Sequence, residues 1–290
     1  MNELSYWQAL LLGFIQGVTE FLPISSSGHL AISQRLMHLD ADSTPMLLFD
    51  VVTHLATLAA VVWVFAGTFG RYLRRLSAEC SASFTGRRIA WRVALAGIVA
   101  SVPTAAIGLA FQDTFERAFG KPVWIGVGLL FTGTLLFVIG KIPRPRRGWR
   151  RFGSGRALWV GVAQGLAILP GISRSGSTIC LAMLLGLRRR WAAEFSFFIA
   201  APAICGATLL KAKDTFEQYG VDLTAVANGP MLVGAIVALL SGYVALRLLL
   251  TAVHRAKLQY FCYYCWLAGL AVILLVVICF NQSETFRRVG

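Results

Sequence analysis

Two polar stretches embedded in apolar segments constrain this chain more than any other feature. The first, Gln16-Gly17-Val18-Thr19-Glu20-Phe21-Leu22-Pro23-Ile24-Ser25-Ser26-Ser27-Gly28-His29, interrupts an apolar run that starts near Tyr6. A near-copy follows about 150 residues later, Gln164-Gly165-Leu166-Ala167-Ile168-Leu169-Pro170-Gly171-Ile172-Ser173-Arg174-Ser175-Gly176-Ser177-Thr178. Both run from Gln-Gly through apolar residues to Pro, then Ile-Ser-x-Ser-Gly, with one extra glycine after the proline in the second. Polar groups at membrane depth are costly, so they face a cavity, a substrate or a partner. Irregular backbone is tolerated there only where protein covers it or a cavity meets it.

The setting of these stretches is a membrane. Hydrophobic residues fill 57% of the 290 positions and charged residues 14%, well above the apolar share of soluble domains. Apolar runs recur at the length of about 20 residues that a helix needs to cross a bilayer. The chain reads as one polytopic, all-α membrane domain. The formal charge of +14 does not point to nucleic acid, because no basic strip is interleaved with aromatic residues on which bases would stack. The N-terminus lacks a basic region of the kind that opens a cleavable signal, so the first apolar segment is expected to stay. Six cysteines are scattered, and Cys262-x-x-Cys265 has no second pair to make a metal site, so packing is its expected role.

Taken in order, the chain shows the same plan twice. Short apolar pieces at about 6–22 and 29–38 flank the first polar stretch, and spans follow at about 46–66, 90–111 and 123–140. Pieces at about 157–170 and 176–187 flank the second stretch, followed by spans at about 192–210, 229–250 and 260–280. Each broken segment reads as a re-entrant hairpin. Arg71, Arg74, Arg75, Arg87, Arg88 and Arg92 follow the first span, and Lys141, Arg144, Arg146, Arg147, Arg150, Arg151 and Arg156 lie around the joint. These basic loops belong in the cytoplasm, and the balanced loops with Asp113, Glu116, Arg117 and Lys121, and with Lys211, Lys213, Asp214, Glu217 and Asp222, outside. A hairpin returns the chain to its starting side and three spans carry it across, so the halves, about 1–140 and 157–281 with connector 141–156, have inverted topology. Such repeats carry their site near the midplane, where broken helices meet.

The residues at the two breaks suit anion chemistry. Arg174, flanked by Ser173, Ser175, Gly176, Ser177 and Thr178, offers two parallel hydrogen bonds to phosphate oxygens. The helices following the breaks aim backbone N–H groups and their positive ends at the same point, around Gly171 in the second half and around Ser25, Ser26, Ser27 and Gly28 in the first. Two helix ends plus one Arg fit a diphosphate better than a carboxylate; the alternative is a structural Arg174–Glu20 ion pair. Gln16 and Glu20 share a helical face and could hold a divalent metal with substrate oxygens; Glu20 could instead act as a base. His29 handles a proton, and Ser27 is the candidate nucleophile, or orients water. Ser25 and Ser26 cap the helix or bind oxygens. Asp50 and His54 share a face and border the mouth of a cavity or act locally, and Glu194 reads as a boundary residue.

With these residues the chain resembles the undecaprenyl-pyrophosphate phosphatase family, the bacitracin-resistance type of membrane phosphatase. The match rests on the two polar stretches and on Ala193-Glu194-Phe195-Ser196-Phe197. The resemblance implies a hydrolase of the bacterial inner membrane, with its site reached from the periplasmic face. It would cleave undecaprenyl diphosphate to the monophosphate and phosphate, recycling the lipid carrier for peptidoglycan synthesis and conferring bacitracin resistance. The family's acidic motif, Glu or Gln, three residues, then Glu, falls on Gln16 and Glu20. Catalytic roles map to Glu20, Ser27, His29 and Arg174, and Mg2+ or Ca2+ dependence is implied. The expected partners are the prenyl diphosphate lipid, the membrane and a second copy in a possible homodimer. The competing function is a carrier-lipid flippase using the same anion pocket, for which Ser27 and His29 would be unnecessary.

Overall fold

The structure, a computed structural model, describes residues 4–41, 43–81, 88–142, 148–149, 152–219 and 228–289. Expectations resting on Arg87, Arg144, Arg146, Arg147, Arg150, Arg151 and Asp222 fall outside those residues. Within them the chain is all-helical. A broken pair, α1 (Tyr6–Phe21) and α2 (Ser26–Leu36), is followed by α3 (Thr44–Cys80), α4 (Ile89–Ala110), a short α5 (Gln112–Phe119) and α6 (Pro122–Lys141). A second broken pair, α7 (Ser154–Leu166) and α8 (Arg174–Leu184), precedes α9 (Arg189–Tyr219), α10 (Gly229–His254) and α11 (Phe261–Val289). Six of these segments are long and apolar enough to cross a membrane: α3, α4, α6, most of α9, α10, and Leu258–Ile278 leading into α11.

Small residues set how the broken helices pack. A Cβ on Gly13 would meet the Gly234 carbonyl, and one on Gly17 would strike Ser241 and the Ala238 carbonyl, so α1 lies against the backbone of α10. The second half repeats the device: a Cβ on Gly161 would meet the Ala100 carbonyl, and one on Gly165 would meet Ile107, so α7 lies against α4. Close backbone approach through small residues is the main packing strategy where lipid removes the hydrophobic drive between helices. The first spans α3 and α9 also touch, as do the third spans α6 and α11. One apolar core runs through both halves, from Phe21, Ala60 and Val61 to Phe195, Phe197, Leu246 and Leu249.

Two helices outrun their apolar stretches. At 37 residues, α3 is about 55 Å long at 1.5 Å per residue, beyond the ~30 Å hydrocarbon layer. Its last turns carry Arg71, Arg74 and Arg75 and end on Glu79, which is fully buried. The Glu79 carboxylate accepts the backbone N–H groups of Ile89 (3.0 Å), Ala90 (3.1 Å) and Trp91 (3.1 Å), together with Arg75 Nε at 3.1 Å. It thereby satisfies N–H groups that the first turn of α4 would otherwise leave open, and it fastens α3 to α4.

Candidate active site

The two chain breaks meet. Glu20 stands in the last turn of α1, 7% exposed. Its Oε1 accepts from Arg174 Nη2 at 2.6 Å, across 154 positions of sequence. Its Oε2 accepts from Ser26 Oγ at 2.7 Å and from Gln16 Nε2 at 3.1 Å. The Arg174–Glu20 ion pair, the alternative to a phosphate-facing guanidinium, is therefore present. The second nitrogen of Arg174, Nη1, lies 3.5 Å from the Ala200 carbonyl of α9. Ser175 Oγ reaches the Leu22 carbonyl at 3.4 Å, and a Cβ on Gly176 would sit 3.3 Å from Pro23. The tips of both hairpins are thus in direct contact.

Each break needs unusual backbone. Gly171 takes φ +88°, and a Cβ there would also strike the Ile125 carbonyl of α6. Only glycine meets both demands, which accounts for the extra glycine in the second stretch. Ser25 takes φ +69° without being glycine, a conformation that costs about 1–3 kcal/mol and collects at functional sites. Gly28 is confined as well, since a Cβ would come within 2.8 Å of Ile125.

Several predicted site residues hold the frame. Ser173 caps α8 by accepting from the Gly176 N–H at 3.1 Å, and its own N–H donates to Thr132 Oγ1 at 3.0 Å. Thr178 Oγ1 donates to the Arg174 carbonyl at 2.8 Å and lies 2.5 Å from Ser196 Oγ. Ser25, expected to cap α2 or bind oxygens, occupies the N-cap at φ +69° without a side-chain cap bond. The buried Ser25 Oγ and Gln16 Oε1 have no hydrogen-bond partner among the described residues. Ser27 makes no hydrogen bond to His29 among the described residues. His29 Nδ1 lies 2.7 Å from the Ser25 carbonyl and Nε2 lies 2.6 Å from Tyr264 Oη on α11.

The flanking candidates separate. His54 Nε2 stands 4.0 Å from Glu20 Oε2, while its Nδ1 meets the Asp50 carbonyl at 2.7 Å. The Asp50 carboxylate turns away to Lys211 Nζ at 2.7 Å and Gln34 Nε2 at 3.3 Å. Glu194 pairs with Arg190 at 2.9 Å, the local role expected of it. Cys262 and Cys265 are buried free thiols, and Cys265 Sγ donates to the Pro23 carbonyl at 3.5 Å. Tyr264 was missed, because an aromatic residue in an apolar span carries no polar pattern that ties it to the breaks; Ser196 and Lys211 stand in stretches the sequence marks, but their contacts with Thr178 and Asp50 are not legible there.

The fold and site define a class: an all-helical, multi-pass membrane protein with a carboxylate, hydroxyls and a guanidinium buried where two broken helices meet. The family model described as bacitracin resistance protein BacA matches residues 9–271, and the chain belongs to that family. Similar proteins include the undecaprenyl-diphosphatase of Halorhodospira halophila, 39% identical over 93% of this chain and 98% of its own. That of Carboxydothermus hydrogenoformans is 40% identical over 93% and 97%, and that of Desulfosudis oleivorans 42% identical over 90% and 95%. These names are those of a hydrolase, and the flippase alternative finds no support in them.

Proposed function

We infer that this chain is an undecaprenyl-diphosphate phosphatase, and we propose that Glu20, Ser27, His29 and Arg174 carry the reaction. The observation that supports the residue assignment is the 2.6 Å contact between Arg174 Nη2 and Glu20 Oε1, where the last turn of α1 meets the first turn of α8. A diphosphate drawn to those helix N-termini exchanges partners with the ion pair. Arg174 turns its fork to phosphate oxygens, and Glu20 is released for chemistry. The attacking oxygen, from water or Ser27, forms a bond to the terminal phosphorus as the bridging P–O bond breaks and the lipid monophosphate leaves; where Ser27 attacks, a water then cleaves the phosphoserine to free inorganic phosphate and restore the hydroxyl. Glu20 or His29 takes the proton of the attacking group, and charge on the transferring phosphoryl is neutralised by Arg174 and the helix ends. Ser25, Ser26, Gly28, Gly171, Ser175 and Gly176 shape the pocket, while Ser173 and Thr178 hold Arg174 in place.

A divalent metal fits these residues. The described residues contain no group of three or more His, Cys, Asp and Glu side chains, so no all-protein cage is offered. Gln16 Oε1 is buried beside the Glu20 carboxylate and has no partner among the described residues. One carboxylate and one amide oxygen, completed by substrate phosphates, is the way Mg2+ is usually held; Ca2+ would be served by the same oxygens. The metal, when bound, supplies charge neutralisation on phosphate oxygens.

The same reading takes the two halves as inverted repeats of one domain, about 1–140 and 157–281 joined by 141–156. The reciprocal packing of α1 on α10 and α7 on α4, each through Gly-x-x-Gln-Gly, supports it. It puts the protein in the bacterial inner membrane with the site open to the periplasmic face, the prenyl tail in hydrocarbon and no nucleic-acid partner. A homodimer is a further expectation, decided by the particle mass in detergent. The test of function is release of phosphate from undecaprenyl diphosphate by purified protein with Mg2+. Loss of release in Glu20→Gln and Arg174→Ala is expected, and full turnover by both would overturn the assignment.

A further inference from the structure

The structure ties His29 to a residue that none of the site motifs contains. A backbone carbonyl only accepts hydrogen bonds, so the 2.7 Å contact of His29 Nδ1 with the Ser25 carbonyl requires a proton on Nδ1. In the neutral imidazole the lone pair then sits on Nε2, the nitrogen 2.6 Å from Tyr264 Oη. The phenol therefore donates to His29 in the neutral form. Once Nε2 is protonated, the phenol oxygen becomes the acceptor by rotation of its own O–H, and Tyr264 is neutral throughout. The two rings are also stacked, 5.6 Å between centroids at 17°. The carbonyl that holds the other nitrogen belongs to Ser25, the N-cap of α2, and also accepts the backbone N–H of His29 at 3.3 Å.

The neighbouring residue adds an independent contact. Cys265 Sγ donates to the Pro23 carbonyl at 3.5 Å, so α11 touches the first hairpin within its break and again in the first turn of α2. Tyr264 is 45% exposed, and a tyrosine placed only for packing would not need its hydroxyl on an imidazole. The other ionisable groups around the break are Glu20 on α1, His54 on α3, Arg174 on α8 and Cys265 on α11. Glu20 is bonded to Arg174, Ser26 and Gln16, His54 to the Asp50 carbonyl, and Cys265 to Pro23. Among the described residues Tyr264 is thus the side chain that holds the titrating nitrogen of His29.

We propose that Tyr264 is the proton relay between His29 and the reacting group: it fixes the tautomer and ring orientation of His29, and its hydroxyl changes from donor to acceptor as His29 takes up and gives back a proton. The Tyr264 hydroxyl passes its own proton to Nε2 as it accepts one from the attacking group, and the transfer runs back through the same hydroxyl to the departing phosphate, so the phenol stays neutral. The proposal rests on the reading of His29 as the proton carrier.

Tyr264→Phe removes the hydroxyl and keeps the stacked ring. Phosphate release from undecaprenyl diphosphate in detergent with Mg2+ is measured across pH for wild type, Tyr264→Phe, His29→Gln and the double variant. The expected result is a kcat about tenfold lower in Tyr264→Phe, with an unchanged melting temperature. The limb of the pH profile set by His29 moves toward acid by roughly half a unit to one unit, because the protonated ring loses its acceptor. In the His29→Gln background the second substitution costs less than twofold, as required of a residue acting through His29. A Tyr264→Phe profile that superimposes on wild type, or an equal loss in both backgrounds, overturns the proposal. Full turnover by His29→Gln would instead show that the reading of His29 is wrong.

Discussion

Replacing Glu20 by glutamine separates charge from shape at the centre of the site. The carboxylate accepts three hydrogen bonds, from Arg174 at 2.6 Å, Ser26 at 2.7 Å and Gln16 at 3.1 Å. An amide in its place keeps an oxygen for Arg174. The new N–H2 group faces Ser26, whose hydroxyl can rotate to accept, and Gln16, whose free Oε1 can turn to accept. The hydrogen bonds therefore survive while the negative charge is lost. Removing one partner of a buried ion pair costs about 3–5 kcal/mol, and since the hydrogen bond remains, a loss near 3 kcal/mol is expected, read as a lower melting temperature in detergent. Turnover falls further, because losing a base typically costs 10²- to 10⁴-fold in rate. The Michaelis constant should move the other way: Arg174, relieved of its internal competitor, is free for the diphosphate, so KM stays level or drops. The assay is steady-state phosphate release from undecaprenyl diphosphate at saturating Mg2+. A kcat within about threefold of wild type, or a KM raised tenfold with kcat intact, would refute the exchange of partners proposed for Arg174.

Other expectations follow from single contacts. Arg174→Lys keeps the charge and loses the fork that reaches both Glu20 and the Ala200 carbonyl; a loss of about 1.5–3 kcal/mol in transition-state binding lowers kcat/KM by roughly 10- to 150-fold. Gly171→Ala places a Cβ at φ +88° against the Ile125 carbonyl and costs upward of about 1–3 kcal/mol, so both turnover and melting temperature should fall. Glu79→Gln weakens the clamp on the three N–H groups of α4 by about 1.5–3 kcal/mol. It lies far from the hairpin tips, so the melting temperature should drop while the kcat of the folded protein holds.

Much of this arrangement is legible before any coordinates. The proline and glycine breaks lie between α1 and α2 and between α7 and α8, and the spans match α4 and α6 to within one residue at each end. The outer ends of α3 and α9 are not legible in this way. Hydropathy marks where a helix leaves the hydrocarbon, and nothing in it marks where the helix stops, so α3 runs on to Cys80 rather than ending near 66. The eight-residue α5 escaped notice because it buries only Phe115 and Ala118, too few apolar positions to stand out in a polar loop. Within the site, Gln16, Glu20, Ser26 and Arg174 converge as their spacing suggested. Asp50 and His54, read as bordering a cavity mouth or acting locally, part within a single helical turn: His54 approaches Glu20, and Asp50 pairs with Lys211. Tyr264 lies 235 positions from His29, and an aromatic residue in an apolar span carries no sign of the partner it will meet.

The central claim is that one half of the chain supplies the carboxylate and the other the guanidinium of a single site. A double-mutant cycle between Glu20→Gln and Arg174→Ala, read by thermal unfolding in detergent, tests it most directly. Direct contact predicts a coupling energy of about 1–3 kcal/mol between positions 154 residues apart. Stability losses that add to within about 0.5 kcal/mol would mean that the two hairpins do not meet, and the proposed site would not exist.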